Sequence, residues 1–393
     1  MSRLLHTSDW HLGAPLAGEV RTDHFQTMLE GLLKLICERK VTCLLVAGDV
    51  FDVSSPPVSA QNQYFDFLAR LKDTPCSEVV IISGNHDSAR FLAAPAAPLG
   101  RLGIHVVSGT GTDSSLVPVG NDVVVLAVPY LRDGSLGTIP GTSEAERSAN
   151  FIQMVREYLA GLSSVARRRY SGRRQVVMAH QFLVGSAVDD GRKEIDYVGS
   201  LPPLPSSVFP PEVDYVALGH IHKPQVVRGT MPIRYSGSPM PVDFGESGQT
   251  KQVVLVDTDP WTITPLDLPT YARLQRISGD LSELEDSLDR IASSSGPVWV
   301  SATYTGDHPV VELHKLLLER VAGTNVHLMQ VLDMQVWHGR SSREEVVDLK
   351  TLTPSQVFER RLEGEHFDGQ TIRMLRSRFE EVLRTVTHPE DNE

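Results

Sequence analysis

The most informative residues are five short clusters of carboxylate, imidazole and carboxamide side chains within the first 222 residues of a 393-residue chain. Each cluster follows a short apolar run typical of a buried strand, such as Leu44–Ala47 before Gly48-Asp49. Strands of an α/β sheet deliver their trailing loops to one edge, where ligands bind. We therefore expect the clusters to meet at one place. They are Asp9-Trp10-His11, Gly48-Asp49-Val50-Phe51-Asp52, Gly84-Asn85-His86-Asp87, His180 and Gly219-His220-Ile221-His222.

The spacing within these clusters predicts one chelated metal ion and one carboxylate shared with a second ion. Asp9 and His11 are two residues apart, so both side chains can point to one side of an extended loop and bind one ion. Asp49 arrives from the next strand, and its two oxygens can bridge two ions about 4 Å apart. His222 lies two residues beyond His220 and can reach back to the first ion.

Three further side chains complete the second metal position. Asn85 offers an amide oxygen, and His180 and His220 offer imidazole nitrogens. This mixed set of oxygen and nitrogen atoms, without thiolate, favours Mn²⁺ or a similar borderline ion over a structural zinc site, and Mg²⁺ is a possible substitute. A hydroxide held between two such ions is a strong nucleophile, and the ions neutralise a phosphate during in-line displacement. The clusters therefore predict a two-metal hydrolase.

Two neighbouring residues are candidates for proton transfer. His86 follows the predicted ligand Asn85 and would project towards the scissile bond. The carboxylate of Asp87 could hold its other ring nitrogen and raise the basicity of the imidazole. We expect His86 to be the general acid that protonates the leaving oxygen, with Asp87 as its partner.

Each cluster by itself has an ordinary structural explanation. An Asp-x-His pair is common in loops, a Gly-Asp pair is usually a turn, and an isolated His180 would more often be a core or loop histidine. Five such signals in one order, each after a strand, are stronger than any one of them. Two alternatives stay open. Asp52 is either a group behind the metals or a turn acid, and the arginines of 167–169 and 173–174 form either a solvated helix end or a contact to phosphates.

Composition is that of a globular enzyme with two or three domains, with 41% apolar and 22% charged residues. There is no run of 18 apolar residues, so we expect no membrane span. Cys37, Cys43 and Cys76 lack CxxC spacing, which favours reduced thiols and a cytoplasmic location. The net charge of −12 argues against nucleic acid as a partner, but bound metal would neutralise several acids and a local basic track remains compatible with it.

From Arg3 to about Pro269 the pattern alternates strand and helix, which predicts an α/β fold with a layered β-sandwich flanked by helices. Two helices are indicated by Phe25, Leu29, Leu32, Leu33 and Ile36 and by Tyr64, Leu68 and Leu71, and further strands by Val106-Val107, Val123–Val128 and Val253–Val256.

A change in composition near residues 269–276 predicts a second domain. Helix Leu281–Ile291, strand Val298–Tyr304, helix Val310–Val321 and strand Val326–Val336 would form a small α+β domain. We assign 1–275 to the first domain and 276–340 to this one. Two amphipathic segments within 350–388 then predict C-terminal helices.

The motifs resemble those of the calcineurin-like metallophosphoesterase superfamily. Longer strings resemble the SbcD-like nucleases, which are the nuclease subunits of bacterial SbcCD complexes. These strings are His6-Thr7-Ser8-Asp9-Trp10-His11-Leu12-Gly13, Val46-Ala47-Gly48-Asp49-Val50-Phe51-Asp52, Ala217-Leu218-Gly219-His220-Ile221-His222 and Tyr235-Ser236-Gly237-Ser238-Pro239.

The resemblance implies specific roles. One Mn²⁺ would be bound by Asp9, His11, Asp49 and His222, the other by Asp49, Asn85, His180 and His220, and His86 would act in catalysis. Residues 276–340 would be a capping domain that helps to recognise DNA ends and hairpins. The C-terminal helices would dock on an SbcC-type ATPase subunit, and the chain would form a homodimer within a heterotetramer.

The function expected from this resemblance is a Mn²⁺-dependent, ATP-regulated double-strand exonuclease and single-strand or hairpin endonuclease. It would act near the nucleoid in DNA end processing, repair, recombination and replication. One alternative is a phosphatase or phosphodiesterase of the same superfamily. Serine/threonine phosphatases of this superfamily usually carry Arg-Gly and Glu where this chain has Val53-Ser54 and Asp87. The other alternative, a non-catalytic scaffold, is disfavoured because every expected ligand position is filled.

Overall fold

The structure, a computed structural model, describes residues 1–132, 134–141, 143–187, 201–271 and 273–334, and scattered residues between 355 and 379. The strands of this part, in chain order, are β1 (Arg3–Thr7), β2 (Cys43–Ala47), β3 (Glu78–Ile82), β4 (Ile104–Val107), β5 (Leu116–Val119), β6 (Val123–Val128), β7 (Arg174–His180), β8 (Tyr215–Gly219), β9 (Gln225–Val227), β10 (Ile233–Tyr235), β11 (Gln252–Thr258), β12 (Trp261–Asp267), β13 (Leu274–Gly279), β14 (Val298–Tyr304) and β15 (Val326–Asp333). The helices are α1 (Thr22–Glu38), α2 (Val58–Arg70), α3 (Ala89–Ala93), α4 (Ala96–Gly100), α5 (Glu144–Arg169), α6 (Leu281–Ala292) and α7 (Leu313–Arg320).

Two six-stranded sheets pack face to face. Their strand orders are β12-β11-β1-β2-β3-β4 and β5-β6-β7-β8-β10-β9. In β2, Cys43, Leu45 and Ala47 belong to the core between the sheets, whereas Leu44 and Val46 belong to the core beneath the helices. A strand that is buried on both faces has to be apolar at every position, which explains the uninterrupted runs in the sequence.

Helices cover the outer face of each sheet. α1 and α2 pack on the first sheet, and α1 does so through the apolar stripe that contains Phe25, Leu29 and Ile36. α5 packs on the second sheet. The result is a helix–sheet–sheet–helix sandwich, which confirms the layered α/β fold expected from the alternating pattern.

The strands that carry the metal-type clusters are parallel neighbours. β1 pairs with β2 and β2 with β3 in the first sheet, and β7 pairs with β8 in the second. Their carboxyl ends therefore lie at one edge of the sandwich, where the trailing loops can meet.

A third, three-stranded sheet follows the sandwich, in the order β13-β14-β15. α6 and α7 share a separate apolar core with it, which includes Leu284, Leu288, Val300 and Leu317. Helix α7 begins later than the predicted Val310, because Glu312 takes a left-handed conformation with φ 54° just before it. The predicted last strand begins at Val326 as expected, and its end beyond residue 334 lies outside the described residues.

The long helix α5 was not anticipated from the sequence, in which only its arginine-rich end stood out. Local signals for it exist. Ser143 and Glu146 form a reciprocal capping box at its start, and Phe151, Val155 and Leu159 recur every fourth residue on its buried face.

The chain divides into compact units at 1–332 and 333–393. Most of the predicted C-terminal helices within 350–388 lie outside the described residues. Among the residues described there, the rings of Phe358 and Phe379 stack with centroids 4.0 Å apart, and Arg376 pairs with Glu359. Across the described part of the chain, we find no helix with the length and apolarity that crossing a membrane requires.

Candidate metal centre

The loops at the shared edge bring all seven predicted ligands together. Asp9 and His11 follow β1, Asp49 follows β2 and Asn85 follows β3. His180 is the last residue of β7, and the remaining two histidines follow β8. Three sets of side chains have ligand atoms within 4.8 Å of one another: Asp9 with His11 and His222, Asp49 with His180 and His220, and His11 with Asp52 and His86. We call Asp9, His11 and His222 the first group, and Asp49, His180 and His220 the second group.

Unusual backbone conformations aim these side chains. Asp9, His11, Asp49 and His220 have positive φ angles of 54°, 46°, 48° and 102°. Left-handed conformations cost free energy in residues other than glycine and concentrate at functional sites. A Cβ at Gly84 would lie 2.0 Å from Oδ1 of Asp49, so this position requires glycine for the close approach of the carboxylate.

In the first group, two imidazoles face each other and a carboxylate lies behind each ring. Nε2 of His11 and Nε2 of His222 are 3.1 Å apart. Nδ1 of His11 lies 3.1 Å from Oδ1 of Asp52, and Nδ1 of His222 lies 2.7 Å from Oε1 of Glu246. The ring positions in this group therefore depend on side chains from elsewhere in the chain.

In the second group, the two imidazoles share the amide oxygen of Asn85. Nε2 of His180 and Nδ1 of His220 lie 3.0 Å and 2.9 Å from Oδ1 of Asn85. Behind the ring, Nδ1 of His180 donates to the main-chain carbonyl of Ala47 at 2.7 Å. The position of the His180 ring is therefore set by the strand backbone.

Asp49 lies between the two groups. Its Oδ2 is 3.2 Å from Nε2 of His180 and 3.7 Å from Nε2 of His11. Its Oδ1 accepts a hydrogen bond from the main-chain N–H of His86 at 2.9 Å. Burial by itself would raise the pKa of the Asp49 carboxyl, but the neighbouring imidazoles outweigh it and hold that pKa well below its usual range.

The hydrogen bonds behind the rings determine which nitrogen of each imidazole lacks a proton. A carbonyl or carboxylate oxygen accepts, so Nδ1 carries the proton in His180, His11 and His222. When these rings are neutral, as metal binding requires, Nε2 presents a lone pair to the centre of the site. Two buried lone pairs facing each other at 3.1 Å, beside the carboxylates of Asp9 and Asp49, form a donor set that fits divalent cations.

The expected contact between His86 and Asp87 is wrong. His86 is exposed, and its Nδ1 lies 2.7 Å from the main-chain oxygen of Asp52. Asp87 is 1% exposed and points away, with its oxygens accepting from three main-chain N–H groups at 2.9, 3.2 and 3.0 Å. The donors are Gly84, Val50 and Phe51. Consecutive residues of this loop point in opposite directions, so Asp87 stabilises the loop and cannot orient the ring.

The string of residues 235–239 forms hydrogen bonds to the loops of the site, although no role was predicted for it. The hydroxyl of Tyr235 donates to the carbonyl of Gln181 at 2.7 Å. Ser236 Oγ lies 2.8 Å from Ser8 Oγ, which in turn donates to Oδ2 of Asp9 at 2.5 Å. The string therefore supports the loops that carry both Asp9 and His180.

Glu246 was also missed by sequence reasoning. It is fully buried, and its Oε2 accepts from Ser238 Oγ at 2.8 Å and from the ammonium of Lys251. Burial alone would raise the pKa of this carboxyl, but His222 and Lys251 hold it well below its usual range. A lone glutamate 24 residues after its histidine carries no spacing signal, so the sequence could not identify it.

The structure bears on both alternatives that the sequence left open. The Asp52 side chain lies behind the imidazole of His11, so it is a group behind the site. The arginines of 167–169 and 173–174 fit a solvated helix end better than a contact to phosphates, because three of them are paired with acids. These pairs are Arg167 with Glu212, Arg169 with Asp113 and Arg174 with Asp214.

The chain matches two protein families. Residues 2–224 match the calcineurin-like phosphoesterases, and residues 270–366 match the family described as the type 5 capsule protein repressor C-terminal domain, SbcD_C. The first match contains all seven predicted ligands, and the second begins just before the small sheet. Members of the calcineurin-like phosphoesterase fold bind divalent metal, in agreement with the donor set described above.

Relatives with a shared name cover nearly the whole chain. It is 30% identical over 407 residues to the SbcD subunit of the SbcCD nuclease of Escherichia coli strain K12, with 98% of each chain covered. It is 31% identical over 379 residues to the SbcD subunit of Rhodobacter capsulatus, covering 91% of this chain and 93% of the relative. The protein of the same name from Bacillus subtilis is 29% identical over 325 residues, covering 80% and 82%.

Proposed function

This chain belongs to the SbcD family of calcineurin-like metallophosphoesterases, and we propose that it is the metal-dependent nuclease subunit of an ATP-regulated SbcCD-type complex. The relatives that share 29–31% of its residues over 80–98% of the chain are named as nuclease subunits. The observation that carries the proposal is the pair of histidine–carboxylate groups that share Asp49 at one edge of the sandwich.

We assign two Mn²⁺ ions to these groups. Asp9, His11, Asp49 and His222 would hold one, and the second group with Asn85 would hold the other. Two ions so placed would supply a nucleophile at neutral pH and stabilise the charge that builds up on a phosphodiester. The protein orients the ligand atoms beforehand, through the left-handed backbone and the hydrogen bonds behind each ring.

His86 is the residue we assign to proton transfer. Its Nδ1 donates to the carbonyl of Asp52 at 2.7 Å, because a carbonyl can only accept. The other nitrogen, Nε2, is therefore the atom that takes up and releases a proton. The ring is exposed, so it can reach a leaving oxygen on bound DNA. Asp87 has no part in this step.

The rest of the assignment concerns partners. We propose that residues 276–340 cap the site and help to recognise DNA ends and hairpins. The amphipathic segments within 350–388 would dock on the SbcC-type ATPase, and two copies of the chain would form the homodimer of a heterotetramer. The protein would then work at the nucleoid in end processing, repair, recombination and replication.

The experiment is a cleavage assay on the chain purified with its ATPase partner. With Mn²⁺ we expect cleavage of linear duplex and hairpin DNA, stimulated by ATP, and little hydrolysis of a generic phosphatase substrate such as p-nitrophenyl phosphate. Rapid hydrolysis of the small ester without DNA cleavage would instead favour a phosphatase. Failure of both reactions, with Mn²⁺ and with Mg²⁺, would favour a scaffold.

A truncation separates the docking assignment from the activity. Deleting everything after Lys350 should leave a metal-binding protein that no longer co-purifies with the ATPase. The intact chain is the control. Binding of the ATPase with unchanged affinity by the truncated chain would move the docking site elsewhere.

A further inference from the structure

Glu246 connects a predicted metal ligand to a buried charged network. Its carboxylate is fully buried, and each oxygen has a different task. Oε1 accepts the Nδ1 hydrogen of His222 at 2.7 Å, while Oε2 accepts from Ser238 and from Lys251. The two supporting residues also contact the main-chain oxygen of His222, through the Ser238 N–H at 3.1 Å and Lys251 Nζ at 3.4 Å. The ring and the backbone of His222 are thus held by one closed network.

Stabilisation of the fold does not explain this network well. Removing two charges from water costs about as much as their attraction returns, and buried ion pairs can often be replaced by apolar residues without loss of stability. What such a pair does achieve is a narrowly defined geometry, because each hydrogen bond is directional. Here the fixed geometry is that of a histidine whose Nε2 faces the first group.

The turn that carries Glu246 also contacts the small C-terminal sheet. Phe244 packs in a cluster with Leu16, Leu274, Trp299 and Met329, three of which belong to strands β13, β14 and β15. Ser247 Oγ donates to the carbonyl of Leu274 at 2.8 Å. One short turn therefore has the sheet on one side and His222 on the other.

Arg21 joins the same turn to both domains. It is 2% exposed, and its guanidinium lies 5.6 Å from the ring centre of Phe25 and 5.9 Å from that of Trp299. Nη1 donates to the carbonyl of Val242 at 3.4 Å. The turn 242–247 therefore contacts both the nuclease domain and the small sheet. A movement of the sheet would be transmitted to Glu246 through these contacts.

We propose that Glu246 is a positioning residue for His222, and that the turn 242–247 couples the first group to the small C-terminal sheet. The inference rests on the metal-dependent nuclease function proposed above and adds a residue and a route of regulation to it. Through this turn, a displacement of the sheet would change the metal affinity of the first group and leave the second group unaltered.

The test is titration of the full-length chain with Mn²⁺ by isothermal titration calorimetry. We expect two Mn²⁺ per chain in the unaltered protein. In Glu246→Gln, the amide faces a donor in either orientation, since its NH₂ group meets either the Nδ1–H of His222 or the ammonium of Lys251. Affinity at one site should fall about 10–100-fold, the usual cost of losing the group behind a metal-binding histidine, while the other site keeps its affinity.

Asp243→Asn is the matched control. It makes the same carboxylate-to-amide change in the same turn, and the side chain that accepts from the Gly245 N–H keeps an acceptor oxygen. Both sites should bind as in the unaltered chain. A general loss of stability would weaken both sites in either variant, whereas positioning weakens one site in Glu246→Gln alone.

Phe244→Ala tests the coupling to the sheet. We expect the same single site to weaken, by less than in Glu246→Gln, because the turn loses its packing and keeps its hydrogen bonds. If Glu246→Gln does not fold, Ser238→Ala takes its place, since it removes one hydrogen bond to Oε2 and little volume.

The outcomes separate the two proposals. Two Mn²⁺ sites of unchanged affinity in Glu246→Gln, or in Ser238→Ala in its place, would overturn the positioning role. Unchanged sites in Phe244→Ala would overturn the coupling. An unaltered chain that binds no Mn²⁺ would overturn the metal-dependent nuclease function itself.

Discussion

The two histidine groups of the site are built in different ways. In the first group, the rings of His11 and His222 are each held by a carboxylate from a distant part of the chain, Asp52 or Glu246. In the second group, His180 is held by the carbonyl of Ala47, a residue of the neighbouring sheet's strand β2. The rings of the first group are oriented by replaceable side chains, whereas the His180 ring of the second group is oriented by the backbone of the sandwich.

Because of this difference, the two groups should respond differently to changes in the surrounding structure. A backbone carbonyl in a central strand cannot be removed by substitution and moves only if the sheet moves. A buried carboxylate on a short turn can be shifted by whatever contacts that turn. We therefore expect affinity in the first group to be adjustable and that in the second group to be constant. Four substitutions test this contrast.

Asp49→Ala should affect both groups at once. Its Oδ2 is the atom within 3.2 Å of Nε2 of His180 and within 3.7 Å of Nε2 of His11, so its loss removes the link between them. Mn²⁺-dependent cleavage of hairpin DNA should fall at least about 100-fold, since metal catalysis contributes several kcal/mol. Retention of more than a few per cent of activity would contradict a shared carboxylate.

His86→Ala should leave both groups intact and still slow the reaction. The ring belongs to neither group, and we assign it the proton for the leaving oxygen. Turnover should fall about 10²–10⁴-fold, the usual range for a positioned acid or base. Metal content by elemental analysis and DNA affinity should stay as in the unaltered chain. The control is His105→Ala, which replaces a histidine of strand β4 that pairs with Glu78. Loss of bound manganese in His86→Ala would make His86 a ligand.

Asp52→Ala should affect the first group alone. The substitution removes the carboxylate that lies 3.1 Å from Nδ1 of His11 and leaves the main-chain oxygen that holds His86. One of the two Mn²⁺ affinities should fall about 10–100-fold. Calorimetric titration decides, because equal weakening of both sites would remove the distinction between the groups.

His6→Gln should affect neither group and alters only the pH dependence of stability. His6 is buried between Tyr215 and the carbonyl of Leu218, and burial lowers its pKa from 6.5 to about 3. The unfolded chain binds a proton at His6 that the folded chain does not bind. The stabilisation of the folded state by neutral His6 is therefore complete above pH 6.5 and is lost as the pH falls towards 3.

Between these pH values, His6 should add a slope of about 1.4 kcal/mol per pH unit to the free energy of unfolding. Urea unfolding at several pH values measures this slope, which His6→Gln should reduce by that amount. An unchanged slope would mean that the imidazole is protonated in the folded state. The Mn²⁺ titration of the variant should match that of the unaltered chain.

The directions of the His86 and Asp87 side chains could not be predicted from the sequence. Adjacency in sequence suggested a hydrogen-bonded pair, but the loop turns between them and sends the two side chains in opposite directions. The direction of a side chain in a loop depends on backbone angles set by the surrounding structure, and sequence spacing contains no information about them.

The candidate ligands and the edge of the sandwich at which they meet were predictable from the sequence alone. Polar clusters after apolar strands, and the helical stripes of α1 and α2, are local patterns with periods of two and 3.6 residues, so they can be read without the fold. The same holds for the small sheet, whose strand Val298–Tyr304 was predicted at its observed bounds.

The residues behind the candidate ligands are set by tertiary packing. Asp52 lies 41 residues from His11, and Glu246 lies 24 residues from His222. The carbonyl that holds His180 belongs to a strand 133 residues earlier. These partners are selected by the packing of two sheets and a turn, and the residue types involved are common in any loop. The chemistry of the ligands is therefore a local property of this sequence, whereas their orientation is a property of the fold.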